Sequence, residues 1–210
     1  MRWKEWNRGR EMTVREFYQG VFGICEEGLL EKLEKNSRKR MVKRGEIIQE
    51  AGDACPNISF LVSGLFRGFF LDGNGNDVTD CFAYQPGMPL VASLRLNGPS
   101  VVSIEALEDS EIIYLDADVI YELVSTRIEL AVLYARLLSN ALQMHWESKV
   151  AVANHSAAAR YLWFQKQFPG LIHRVSHKYV ASFLGMTPVS LSRVRRSMGE
   201  TQGQKVGAGR

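Results

Sequence analysis

Between residues 45 and 115 the apolar positions come in short alternating or β-branched runs, GEIIQEAGD, NISFLVSGLFRGFFL, DVTDCFAY, PSVVSIEAL and SEIIYLD, cut apart by Gly, Asp, Asn and Pro. Runs of this length and spacing predict strands that close into a sandwich or barrel. Between two of them, DGNGND (72–77) puts Gly73 and Gly75 where a tight hairpin needs positive φ, so the flanking strands are expected to pair antiparallel. The period changes at about residue 116. From there to residue 155 the chain has neither Gly nor Pro, which predicts a short helix leading into a long one over about 126–153.

Along the long helix Leu130, Leu133, Leu137, Ala141 and Met144 recur on one side, while Ala131, Ala135, Leu138 and Leu142 recur on another. Two stripes imply two partners. The β domain would take one and the equivalent helix of a second subunit the other. The homodimer interface is expected on Leu130, Leu133, Leu137, Ala141 and Met144, with Asn140 as a polar break that fixes register. A long helix packed only within its own chain is the alternative. A further helix, SAAARYLWFQKQF (156–168), stops at Pro169-Gly170.

The next stretch, SHKYVASFLGMTPVSLSRVRR (176–196), has the residue grammar of a helix-turn-helix, although apolar spacing of three and four would also suit two plainly packed helices. Ala181 lets the helices approach, Gly185 permits a left-handed turn, and Val180, Leu184, Met186, Leu191 and Val194 are apolar. Thr187 and Pro188 supply an N-cap and an N1 proline. The second helix carries no acid. Its Arg193 is expected to read a base or hold a phosphate, Ser190 and Ser192 to hydrogen-bond bases or phosphates, and Arg195 or Arg196 to hold the backbone, with Val189 against a thymine methyl. His177 and Lys178, opening the first helix, would face phosphates.

Charge sharpens this picture. The net charge is +3, but residues 171–210 hold seven Lys/Arg against one acid, while residues 45–170 hold seven against fifteen. The C-terminal segment suits a polyanion and the middle would be repelled by one. Residues 1–44 are also basic, largely through RKRMVKR (38–44), which reads as a solvated surface loop.

Other chemistries find no foothold. No apolar run of eighteen residues is present, and MRWKEWNRGREM lacks the apolar core of a secretory signal, so a cytoplasmic protein with no membrane span is expected. Cys25, Cys55 and Cys81 are odd in number and far apart, so neither a disulfide framework nor a metal site is indicated. No Ser/His/Asp, metal-ligand or phosphate-cradling constellation occurs at workable spacing, hence no enzyme and no cofactor.

The order of elements, with GEIIQEAGD and ISFLVSGLFRGF in the first half and VASFLGMTPVSLSRVRR in the second, resembles the CRP/FNR family of bacterial transcription regulators over roughly residues 20–197. The resemblance implies an α+β fold: an N-terminal β-roll of the cyclic-nucleotide-binding-like jelly-roll type, a long dimerisation helix and a C-terminal helix-turn-helix domain. Domain limits are expected at 12–154 and 155–197. The tail, 198–210, MGETQGQKVGAGR from Met198, reads as flexible and basic, leaving a reduced or absent wing. A homodimer bound to a near-palindromic double-stranded site is implied, with RNA polymerase as a further partner and two recognition helices about 34 Å apart.

The chain departs from the family's cyclic AMP binders. Where they carry Gly-Glu and Arg-Ser/Thr pairs for ribose and phosphate, this sequence reads Gly87-Met88 and about Asn97-Gly98, so binding of cyclic AMP in the family manner is not expected. Phe82, Met88, Leu90, Val91 and Arg95 are the candidate lining of a pocket for an unknown small effector. A lone Cys25 near the N-terminus and no His in residues 45–115 argue against iron-sulfur and haem sensing. The competing reading is a β-roll ligand-binding or protein-interaction module whose helical C-terminus does not bind DNA.

Overall fold

The computed structural model describes residues 12–91, 93 and 98–207, those beyond 198 by their backbone. In chain order the elements are α1 (Val14–Phe22), α2 (Glu27–Asn36), β1 (Ser37–Val42), β2 (Ile47–Gln49), β3 (Asn57–Ser63), β4 (Phe66–Leu71), β5 (Asp77–Ala83), β6 (Pro89–Leu90), β7 (Ser103–Ala106), β8 (Ser110–Asp116), α3 (Ala117–Thr126), α4 (Ile128–Asn154), α5 (Ala157–Gln167), a 3-10 turn (Leu171–His173), α6 (His177–Phe183) and α7 (Pro188–Gly207). Two compact units result. One is the chain up to Phe70 with Phe82–Leu137, and the other is Leu71–Cys81 with the chain from Leu138.

The strands form two four-stranded sheets, ordered β1-β8-β3-β6 and β2-β7-β4-β5. The runs NISFLV and SEIIYL are nearly continuous because both faces of their sheet are buried. Leu61 and Ile112 point into the roll with Phe66, Ile104 and Ala106, while Phe60, Val62, Ile113 and Leu115 point outward against α1, α2 and α3. The 72–77 hairpin forms as expected, though Gly75 alone takes positive φ (79°); Asp72 replaces the other glycine by accepting from the backbone N–H groups of Asn74 and Asn76 at 2.8 and 2.9 Å.

Two sequence expectations change here. RKRMVKR is not a loop: Ser37–Val42 pairs antiparallel with β8 along its whole length, from Ser37 opposite Leu115 to Val42 opposite Ser110. Its charges belong to an edge strand, where Lys39 pairs with Glu111 at 2.6 Å and Arg40 with Glu46, and such charges keep a sheet edge from pairing further. The tail expected to be flexible from residue 198 continues α7 as helical backbone through Gly207, with 208–210 outside the described residues. Glycines at 199 and 203 cost helix stability but do not break it, and no proline intervenes.

The long helix divides the residues expected at its interface. Leu130 and Leu137, assigned to a second subunit, pack against the chain's own core beside α1 and β3. Leu133, Ala141 and Met144 are half-buried, and Asn140 is exposed. The apolar positions left in solvent are Ile128, Val132, Leu142, Trp146 and Val150, between 50% and 71% exposed. At about 100° per residue they form one seam on the face opposite Leu130 and Leu137. Only Leu142 of the second stripe read from the sequence belongs to this seam, and the position of the sheet decides which apolar positions the chain covers.

The described residues expected to line an effector pocket are buried or half-buried. Phe82 is 1% exposed, Leu90 lies in the cluster between the sheets with Met88 packed against it, and Val91 is half-buried. Arg95 and Asn97 lie outside the described residues. At Gly87, φ is 81° and an added Cβ would lie 2.3 Å from a Val21 methyl, so α1 sits directly on this turn.

Candidate nucleic-acid interface

Helices α5, α6 and α7 pack around an aromatic centre. Phe164 is fully buried 4.9 Å from Phe168 and 5.7 Å from Phe183, ring centre to ring centre, and Trp163 stacks on Phe183 at 6.2 Å. Val180, Ala181, Leu184 and Leu191 are completely buried, so α6 and α7 meet through the positions that the spacing marked. The turn between them is set at Gly185, with φ 62°, where Met186 N–H donates to the Ala181 carbonyl at 3.0 Å and closes the helix end.

Arg160 of α5 completes this turn. One guanidinium nitrogen donates to the carbonyls of Leu184 and Gly185 at 2.8 and 3.1 Å, and Nε donates to His155 O at 3.0 Å. The sequence reading passed over it. The available signal was a lone cation near the start of α5, where the helix dipole disfavours positive charge and some other partner is needed.

The second helix starts where expected, since Thr187 Oγ1 accepts from Ser190 N–H at 3.1 Å and Pro188 follows as the first helical residue. Spaced by about 100° per residue, Val189, Ser192, Arg193 and Arg196 fall on one face, opposite buried Leu191 and half-buried Val194. All four are exposed, Val189 to 60%. This face offers an apolar contact, a hydroxyl and two guanidinium groups with no acid among them. Ser190 instead lies beside the cap, its hydroxyl 3.0 Å from that of Thr187.

Arg195 falls off the face. It is half-buried and contacts His177 Nδ1 at 3.3 Å, a geometry that needs the neutral imidazole accepting from the guanidinium. Burial, and then the charge of Arg195, push the His177 pKa below the ordinary imidazole value. The unfolded chain therefore binds more protons between the depressed pKa and about 6.5, so the small stability carried by this contact is present above that window and lost as pH falls through it. In an Arg195→Ala variant, an NMR titration is expected to place the His177 pKa higher but still short of the ordinary value, because burial remains; an unchanged pKa would show that Arg195 does not act on the ring. Lys178 is exposed, its ammonium 4.5 Å from the Tyr179 ring centre.

Among the described residues no group of three metal-ligating side chains occurs, and no helix is long and apolar enough to cross a membrane. The cysteines are free thiols.

Comparison with known proteins bears on both halves. Residues 39–127 match the cyclic nucleotide-binding domain. A regulatory protein, HlyX of Actinobacillus pleuropneumoniae, is 23% identical over 166 residues, which cover 79% of this chain and 66% of the relative, just under two thirds of its length. FixK2 of Bradyrhizobium japonicum has a TM-score of 0.68 at 18% identity, covering 80% of this chain and 86% of that one. A putative transcriptional regulator of the CRP/FNR family from Eubacterium rectale scores 0.69 at 16% identity over 88% of each chain. At these identities the structures establish the fold alone. In its two-sheet roll, long helix and helix-turn-helix the chain shares the fold of these structures, and its residues 39–127 are similar to the cyclic nucleotide-binding domain.

Proposed function

We propose that the chain is a homodimeric, sequence-specific DNA-binding transcription regulator and not an enzyme, and that Val189, Ser192, Arg193 and Arg196 on α7 enter the major groove. The single observation that supports this is the exposed face those residues share, without an acid over residues 188–196, on a helix whose other side is locked into the domain core. Major-groove readout needs a protruding helix with bidentate donors and a small apolar contact, and this face supplies both. Arg193 is assigned to base readout and Arg196 to a phosphate. Lys178 and Arg195 flank the face as a basic margin beside the neutral ring of His177, with Thr187 and Ser190 holding the helix start in place. The names of the relatives, a regulatory protein and a putative transcriptional regulator, agree with this reading.

The second copy is proposed to pair along the α4 seam of Ile128, Val132, Leu142, Trp146 and Val150, since five large apolar side chains left in water on one helix face are costly without a partner. Cyclic AMP is not the proposed effector. Met88 takes the place of the ribose-binding acid, and the described interior of the roll is filled by Leu61, Phe66, Leu90, Ile104 and Ile112.

Selection of bound fragments from genomic DNA, followed by fluorescence anisotropy on the recovered site, tests the proposal. Arg193→Ala is expected to cost about 1–3 kcal/mol and relax the sequence preference, whereas Arg196→Ala weakens all sequences alike and lowers the salt slope by about one. Recovery of no sequence from the pool, or an Arg193→Ala variant with unaltered affinity and salt dependence, contradicts it.

A further inference from the structure

The first unit has a cleft of about 310 Å³ away from the roll interior, where the connection after α1 meets α2 and the first turns of α4. Its walls are Phe22, Ile24, Leu29, Leu130 and Leu133, all apolar. Four charged residues also line it, and three are already compensated. Arg127 is ion-paired with Glu26, and Glu129 stands in the first turn of α4, where the helix dipole favours its charge. Arg136 is exposed and has no ion pair among the described residues. Its helix neighbours three and four positions away are Val132, Leu133, Ser139 and Asn140, so no acid stands within one turn of it on α4, and the nearest before it is Glu129, seven positions back.

From this geometry we infer a binding site for a small amphipathic monocarboxylate, such as a medium-chain fatty acid or an aryl-alkanoic acid, with its carboxylate on Arg136 and its hydrocarbon body against Phe22, Ile24, Leu29, Leu130 and Leu133. A guanidinium binds a carboxylate through two parallel hydrogen bonds, and apolar walls with one directing polar group are the usual make-up of small-ligand sites, whose volumes begin near this size, about 300 Å³. The acid head gives orientation and the chain gives burial. Val132 belongs both to this cleft and to the α4 seam, so a bound acid touches the helix proposed to pair two subunits. In that respect the inference extends the regulator reading by naming an effector class. Binding itself does not rest on it.

The test uses the full chain without DNA. Cys25 lines the same cleft and is exposed, whereas Cys55 and Cys81 are half-buried. In a Cys55→Ser/Cys81→Ser variant, octanoate and 4-phenylbutyrate are expected to protect Cys25 saturably from maleimide, with matching heats by calorimetry. Octanamide, the neutral isostere, is expected to bind at least tenfold more weakly. Arg136→Gln should remove the preference for acid over amide while leaving the circular dichroism melt unchanged. Equal binding of octanoate and octanamide, no saturable protection by either acid, or full acid preference in Arg136→Gln overturns the inference. A failure here with intact sequence-specific DNA binding sinks only this site, and loss of DNA binding with intact acid binding sinks only the regulator reading.

Discussion

Replacing Leu142 and Trp146 together by glutamate is expected to yield a monomer that no longer holds its DNA site. Both side chains lie on the exposed seam of α4, at 50% and 59% exposure, so neither change disturbs a packed core and the chain should remain folded. In a two-fold pairing each substitution acts twice. It removes an apolar contact and sets like charges across the seam, for a combined loss of about 4 kcal/mol or more, roughly a thousandfold in the dimer dissociation constant. A monomer offers a single recognition helix, so affinity for the full site should fall further than dimerisation itself accounts for. Sedimentation velocity reads the first effect and anisotropy the second. Leu137→Ala is the control from the opposite face: that side chain packs on the chain's own core, so about 1–3 kcal/mol of stability should go while association is kept. If the glutamate variant sediments like the parent, the seam is not the interface.

The largest effect on folding is expected at Gly64, between β3 and β4. Its φ is +107°, and an added Cβ would lie 2.1 Å from Ser110 Oγ, 2.5 Å from its Cβ and 2.7 Å from its Cα. The obstacle includes backbone of β8, the strand paired with both β1 and β3, so it cannot be relieved by rotating a side chain. Ser110 is itself fixed, as its hydroxyl accepts from Leu65 N–H at 3.2 Å and donates to Glu108 O at 2.7 Å. Gly64→Ala should therefore cost about 2–6 kcal/mol, combining the strain of positive φ with overpacking. Gly45 separates the two causes. It too has positive φ, +83°, but an added Cβ would meet nothing within 4 Å, so Gly45→Ala should cost only the conformational part, about 1–2 kcal/mol. Urea unfolding of the two variants measures the difference, and equal midpoints would show that the approach to Ser110 is unimportant.

Much of this fold was legible because its signals are local. The strand runs, the Pro169-Gly170 stop, the Thr187-Pro188 helix start and the change of period near residue 116 each depend on neighbours within a few positions. The face of α7 was legible in part. Its residues were all named, but the sequence could not separate Arg193 and Arg196, which point outward, from Arg195, which meets His177, or show that Ser190 lies against the cap. Arg160 was missed because its partners, Leu184 and Gly185, lie some twenty-five positions away. The edge strand at Ser37–Val42 was missed because its charged residues carry no alternation, and the pairing with β8 that makes it a strand spans about seventy residues.

The sequence by itself determined that a roll of strands, a long helix and a capped second helix without an acid over residues 188–196 follow one another, because capping, periodicity and turn chemistry act over a few residues of chain. Only the tertiary structure decided which apolar positions of α4 are covered, which arginines of α7 remain in solvent, and that Leu90, with Met88 against it, joins the cluster between the sheets. Those outcomes depend on what the opposing surface offers, and hydrophobic attraction carries no direction until that surface is in place.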